Sequence, residues 1–284
     1  MKASVVIPTY NREHILSLSL TSLCNQASVS ADDFEVIICD DGSSDNTRQM
    51  VEAFSDCLDI KYFFQEDKGY RVSLARNTGI RAAKHEVIIL LDSGVVVSSN
   101  FVDSHLKQHS DKSTNNVVIG YIYGYNYTMR SDDLTDEFDF DNPDLTIKTL
   151  QECNLHLDVR EDNYRLVSDK LADLPAPWTL FWTTNVSFGK DFVEEVGLFE
   201  ERFESWGVED VELGYRLYIN GGSYMLSRSA AGLHYPHERD VQAQKQSNSE
   251  NRSLLYKLHP DNVIEHYLGS TALKFNFEYK DTPI

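Results

Sequence analysis

Over the first hundred residues, short unbroken apolar runs alternate with amphipathic stretches, and this alternation constrains the fold most. Val87–Leu91 is apolar at every residue, Ser4–Ile7 and Phe34–Cys39 (FEVIIC) nearly so, and Ile60–Phe64 is a third short strand-like run. Strands of that kind are buried on both faces. Between them, His14–Cys24 carries apolar residues at Ile15, Leu16, Leu18, Leu20 and Leu23, and Thr47–Phe54 follows the turn Asp40–Asp45, whose acids and serines can cap a helix. Ser73–Ala83 reads as a third helix. The pattern predicts an α/β fold with a mostly parallel sheet flanked by helices. Ligands of such sheets bind beyond the carboxyl ends of the strands. The polar segments there are Thr9-Tyr10-Asn11-Arg12, Asp40-Asp41-Gly42 and Asp92-Ser93-Gly94, and they are expected to converge on one pocket.

The second half is less regular. Tyrosines 121, 123, 125 and 127 lie at period two in Val117–Met129, on one face of a predicted strand, and both sugar stacking and internal packing fit them. The same two readings fit Trp178 and Trp182. Asp132–Asp144, with seven acids in thirteen residues, reads as a solvated excursion. A helix is expected at Glu209–Asn220, and a polar tail from about Gln242. No linker divides the chain. The expected layout is one domain over 1–240, with a nucleotide-binding half at 1–98, an acceptor and metal half at 99–240, and an extension at 241–284 packing on it.

Twenty-six Lys and Arg against 45 Asp and Glu leave a formal charge of −19. That argues against a nucleic-acid partner, since phosphate backbones are held mainly by clustered cations. No apolar stretch approaches the roughly 20 residues that cross a bilayer. A cytoplasmic protein without a transmembrane segment is expected, with peripheral contact at the inner membrane face compatible. Four cysteines without a CxxC pair suggest reduced thiols rather than a disulfide scaffold.

Three clusters could carry chemistry. In Trp206–Leu217, Gly207 permits a tight turn and Glu209 and Asp210 fall where a helix begins. A carboxylate there either caps the helix or is presented to a cleft as a general base. His234 and His237 flank Tyr235-Pro236 and are either metal ligands or ordinary partly exposed histidines. Asp92 offers a carboxylate at the sheet mouth, where a hard cation could bridge phosphate oxygens. Arg71 and Arg76 suit phosphate binding, or surface ion pairs.

Together these segments resemble the family 2 glycosyltransferases of the GT-A fold. The matching motifs are VVIPTYNR (Val5–Arg12), CDDGSSDNT (Cys39–Thr47), GYRVSLARNTGI (Gly69–Ile80), LLDSG (Leu90–Gly94), TTNVSF (Thr183–Phe188) and WGVEDVELGYRL (Trp206–Leu217), in family order. The second half further resembles a galactosyltransferase-like C-terminal part, where WGxED is followed by a metal-binding His before an Arg-Asp pair, here His237-Glu238-Arg239-Asp240.

The resemblance implies a Rossmann-like nucleotide-binding sheet with a smaller acceptor-side subdomain. It implies an inverting transfer from a UDP-sugar to a hydroxyl acceptor, whether glycan, lipid-linked or other, in glycan or polysaccharide biosynthesis. Pro8, Tyr10 and Asp41 would hold the base, with Arg12 approaching the nucleotide. Arg71 would contact base or phosphate, and Arg76 would shape that helix start. Asp92 would contact ribose or metal. Asp210 would be the base, with Glu209 orienting a substrate. His237, with His234, would ligate Mn²⁺ or Mg²⁺. The chain departs from the family's Asp-x-Asp at Gly94, which implies reduced metal dependence or a non-catalytic nucleotide-sugar or glycan-binding protein on the same fold.

Overall fold

The computed structural model describes residues 1–111, 113–125, 137–237 and 241–280. Tyr127, residues 132–136 of the acidic segment Asp132–Asp144, and Glu238-Arg239-Asp240 lie outside them. Eight strands form one sheet in the order β3-β2-β1-β4-β7-β6-β8-β5. They are β1 (Ala3–Thr9), β2 (Phe34–Asp40), β3 (Ile60–Phe64), β4 (Val87–Leu91), β5 (Val95–Val97), β6 (Asn116–Tyr123), β7 (Asn185–Gly189) and β8 (Ser223–His234). The helices α1 (Glu13–Cys24), α2 (Thr47–Glu52) and α3 (Val72–Ala82) connect the first four, and α4 (Phe101–Gln108) follows β5.

The first four strands are parallel, as their apolar runs require. Val5, Ile7, Val36, Ile38, Ile89 and Leu91 join the core under α1, with Leu16 and Leu20. Their alternates Val6, Ile37, Ile88 and Leu90 join the core under α3, with Ala75 and Ile80. The far half is mixed. β7 runs antiparallel to both β4 and β6, while β6 and β8 are parallel. The parallel expectation therefore holds only where helices cross between neighbouring strands.

Strand register brings the site together. Thr9 pairs with Asp40, and Asp40 with Phe64, so the loops after β1, β2 and β3 emerge side by side. Leu91 pairs with Asn185, which sets Thr184 against Asp92, whose N–H donates to the Thr184 carbonyl at 3.2 Å. Val95 pairs with His234, carrying that imidazole to the turn after β4.

Three expectations change. Cys24 and Cys57 form a disulfide with Cα atoms 5.8 Å apart, bridging 33 residues, so these two thiols are not free. The described end of the acidic segment keeps its acids Glu137, Asp139, Asp141 and Asp144 in solvent, yet it is also anchored. Phe138 is buried in the core, and the Asp144 carboxylate accepts the Ser99 N–H at 2.9 Å. The polar tail is a helix, Val241–Leu258, followed by two shorter ones at Asn262–Leu268 and Phe275–Glu278. No helix among the described residues is long and apolar enough to cross a membrane.

Candidate active site

Two chambers open at the carboxyl end of the sheet. The larger, about 640 Å³, is lined by Pro8, Tyr10, Arg12, Asp41, His234 and His237, with Gln244 and Ser247 from the C-terminal helix. The smaller, about 320 Å³, is lined by Glu209, Asp210, Trp182 and Thr183, with Arg252 and Tyr267 from the C-terminal helices. Tyr70, Arg76, Asp92, Tyr125 and Trp206 line both, so the chambers meet there.

The larger chamber rests on carboxylates occupied by the loops themselves. Asp40 Oδ1 accepts the N–H groups of Gly42 and Ser43, at 3.0 and 2.7 Å. Asp41, 7% exposed, accepts from the Arg71 N–H at 2.7 Å and from Gln65 Nε2 at 2.5 Å. Tyr10 is 46% exposed, and its hydroxyl donates to Asp67 at 2.9 Å. Arg71 lines neither chamber: its guanidinium turns to Asp41, at 3.7 Å, and to the Glu66 carbonyl. Arg71 thus supports Asp41, the residue expected to hold the base.

At the junction, Arg76 projects from α3 and is 4% exposed. It donates to Glu209 Oε1 at 3.1 Å and to Asp92 Oδ1 at 3.2 Å. Burial works against its charge, yet Asp92 and Glu209 more than offset that and hold it above its ordinary value. Arg76 is thus the inner counter-ion of the cleft, beyond the expected role of shaping a helix start. Glu209 Oε2 and Arg76 Nε are buried without a hydrogen-bond partner.

Asp210 combines both sequence readings. Its Oδ1 accepts the Val211 N–H at 2.7 Å, as a capping residue would, yet the side chain also faces the smaller chamber. Burial, with Glu209 beside it, pushes its carboxyl up to about 8 against the lowering pull of Arg76. Such a shift marks a group able to accept a proton.

The Gly94 departure has a local cause. The turn closes through the Val95 N–H to the Asp92 carbonyl at 3.2 Å, with Gly94 at φ +99°. A Cβ there would lie 3.1 Å from Ile15 Cδ1 on α1. Position 94 therefore faces the core-side helix rather than the chamber. Asp92, His234 and His237 line the same chamber, and the two imidazole rings are 5.2 Å apart. Among the described residues, no group of three His, Cys, Asp or Glu side chains is placed to hold a metal ion alone.

The aromatic candidates divide. Trp178 is wholly buried, and Tyr121 and Tyr123 are in the core. Trp182 reaches the smaller chamber, with the Arg160 guanidinium 5.3 Å from its ring. Sequence reasoning gave no role to Trp206 or to the C-terminal helices. The available signal was the spacing of Ser247, Asn248, Asn251 and Arg252, which share one helix face.

The comparisons with known proteins agree with this architecture. The model described as Glycosyl transferase family 2 matches residues 4–173, more than half of the chain. The chain is 39% identical over 271 residues to a validoxylamine A glucosyltransferase of Streptomyces hygroscopicus subsp. limoneus, covering 94% of this chain and 59% of that protein. It is 34% identical over 242 residues to a chondroitin synthase of Pasteurella multocida (strain Pm70), covering 81% and 24%. It thus spans less than two thirds of the length of either relative. Among solved structures, S. aureus TarS 1–349 in complex with UDP-GlcNAc aligns with a TM-score of 0.63 at 19% identity, covering 90% of this chain and 66% of that one. The mannosyltransferase PcManGT from Pyrobaculum calidifontis, in complex with GDP-Man and Mn²⁺, aligns at 0.64 and 17%, covering 98% and 73%. At these identities the likeness shows the GT-A fold alone. The motif order, the sheet and the family match converge, and the chain belongs to glycosyltransferase family 2.

Proposed function

We propose that the chain is an inverting glycosyltransferase that moves a sugar from a UDP-sugar to a hydroxyl acceptor in a single displacement. The observation that carries this reading is the meeting of the two chambers at Arg76 and Asp92, with Asp210 on the wall of the smaller one. The larger chamber takes the donor: Tyr10 stacks on the base, Asp41 accepts from a ring N–H, and Arg12 and the junction face the diphosphate. The smaller takes the acceptor. Asp210 removes the hydroxyl proton as that oxygen attacks the anomeric carbon, and Glu209, fixed by Arg76, orients the substrates.

Among the described residues, Asp92, His234 and His237 line one chamber without forming a three-ligand group, so an ion held there would take most of its shell from diphosphate oxygens and water. An imidazole in that shell suits Mn²⁺ better than Mg²⁺, which keeps to oxygen ligands. When bound, such an ion neutralises charge on the leaving diphosphate. The TarS complex with UDP-GlcNAc favours a uridine donor, and the mannosyltransferase complex makes GDP-sugars the comparison to include.

The test is release of the nucleoside diphosphate from UDP-, GDP- and dTDP-sugars, with and without Mn²⁺ or Mg²⁺. Turnover of a UDP-sugar supports the reading. Tight UDP binding without turnover under any metal would establish the binding-protein alternative instead.

A further inference from the structure

The chain approaches Glu209 and Asp210 through an unfavourable backbone. Gly207 has φ +98°, and Val208, a β-branched residue, follows at φ +77°. Val208 is also the last residue before the helix Glu209–Ile219, and its carbonyl accepts the Glu212 N–H at 2.8 Å. The direction of the first helical turn, and of both carboxylates on it, therefore depends on this kink. Val208, at the N-cap, offers no side-chain hydrogen bond of its own.

The restraint comes from the C-terminal helix Val241–Leu258. Asn251, buried, donates through Nδ2 to the Ser205 carbonyl at 2.9 Å and the Gly207 carbonyl at 2.7 Å, and its Oδ1 accepts the Ser205 hydroxyl at 3.2 Å. One turn earlier, Ser247 Oγ donates to the Trp206 carbonyl at 3.0 Å. A Cβ at Gly207 would come within 3.0 Å of Asn248. Farther along, His259 meets Glu212 at 2.8 Å, which ties the end of one helix to the start of the other. These bonds hold three consecutive carbonyls of the 205–207 turn from one face of a helix more than thirty residues later in the chain.

We propose that Asn251 is a positioning residue for the transfer reaction, holding the 205–208 turn in the form that directs Asp210 and Glu209 to the junction of the two chambers. The inference rests on the reading of Asp210 as the base. Asp210 is faced by Glu209 from its own helix, by Tyr70 just before α3 and Arg76 from α3, by Asp92 from the end of β4, and by Tyr267 from the C-terminal helices, with Arg252 lining the same chamber.

The test compares Asn251→Ala with the isosteric Asn251→Asp, which can accept but not donate, and with Asn251→Gln as the conservative variant. Hydrolysis of a UDP-sugar, in which water replaces the acceptor, gives kcat, donor KM and the pH profile of kcat. Amide hydrogen exchange reports on residues 205–212. Expected for both Ala and Asp is a kcat loss of about 10- to 100-fold with donor KM nearly unchanged, since displacement of a reacting group by about 1 Å costs that order. Exchange should quicken at 207–212 and stay slow in β1 and β4. The acidic limb of kcat should move to lower pH as Asp210 gains solvent, and Gln should recover part of the rate. Faster exchange with kcat and pH profile unchanged would overturn the proposal and leave Asn251 a structural residue. If Ala fails to fold, Asp decides by the same criteria. A wild-type chain inert with every donor would remove the underlying function, and the proposal with it.

Discussion

The two chambers hold their carboxylates in opposite conditions. Around the larger chamber, Asp40, Asp41 and Asp67 are engaged by backbone and side-chain donors of neighbouring loops. The Gly69 N–H and the Tyr10 hydroxyl hold Asp67 below the usual carboxylate range. In the smaller one, Asp210 is raised, Glu209 Oε2 has no partner and Val208 is strained. A surface that only binds can satisfy its own groups before the ligand arrives. A surface that moves a proton must keep one group unrelieved, and it is held there by packing from elsewhere in the chain.

The sharpest way to break this contrast is Asp210→Asn. Loss of a general base should lower transfer by about 10²- to 10⁴-fold. Stability should move the other way. A carboxyl whose folded value is raised contributes stability that is complete below the usual carboxylate range and is lost as pH rises through about 8. Asparagine does not ionise, so the variant should gain on the wild type as pH increases over that window. Melting scans at pH 5, 7 and 9 measure it, and a variant equally stable at all three would refute the unrelieved state of Asp210.

Arg76→Leu should damage both sides at once, because the side chain is shared. Glu209, with its side chain 6% exposed, would lose its cation. Breaking a buried pair from one side costs about 3–5 kcal/mol. Urea unfolding should show it, and a loss below about 1 kcal/mol would mean that Glu209 is relieved by another group. Asp41→Ala should cost less, about 1–3 kcal/mol, through the unsatisfied Arg71 N–H and Gln65 amide. Unlike Asp210→Asn, it should lower stability and donor affinity together, which UDP titration by calorimetry and a melting scan can separate.

The same contrast explains what the sequence disclosed. β4 coincides to the residue with its apolar run, because a strand buried on both faces leaves no polar position inside it. β3, the half-exposed edge strand, admits Lys61 and is legible from its aromatic and β-branched residues instead. The donor loops follow from those strands by register alone. Trp178 and Trp182 could not be told apart: four residues separate them, and a 3₁₀ turn at Pro177–Leu180 sends one into the core and the other over Arg160. Cys24 and Cys57 meet only because the end of α1 and the loop after α2 pack together. Val241–Leu258 read as a tail since its informative residues, Ser247 and Asn251, are polar. They bond to backbone carbonyls, which leave no trace in a sequence.

Gly94 tests whether the donor side is as settled as its hydrogen bonds imply. The family pattern places an aspartate at this position, so Gly94→Asp would superficially restore a metal ligand. The geometry predicts no such gain. At φ +99° the new Cβ points to Ile15, which would have to shift, and its carboxylate would begin life against α1 rather than in the chamber. A non-glycine residue held in this region costs about 1–3 kcal/mol, so a melting temperature a few degrees lower is expected, with no gain in activity. The response of UDP release to Mn²⁺ should be no stronger than in the wild type. A stronger response would show that the turn can flip to present residue 94 to the chamber, and that the loop after β4 is less fixed than the Asp92–Val95 and Gly94–Tyr235 bonds indicate.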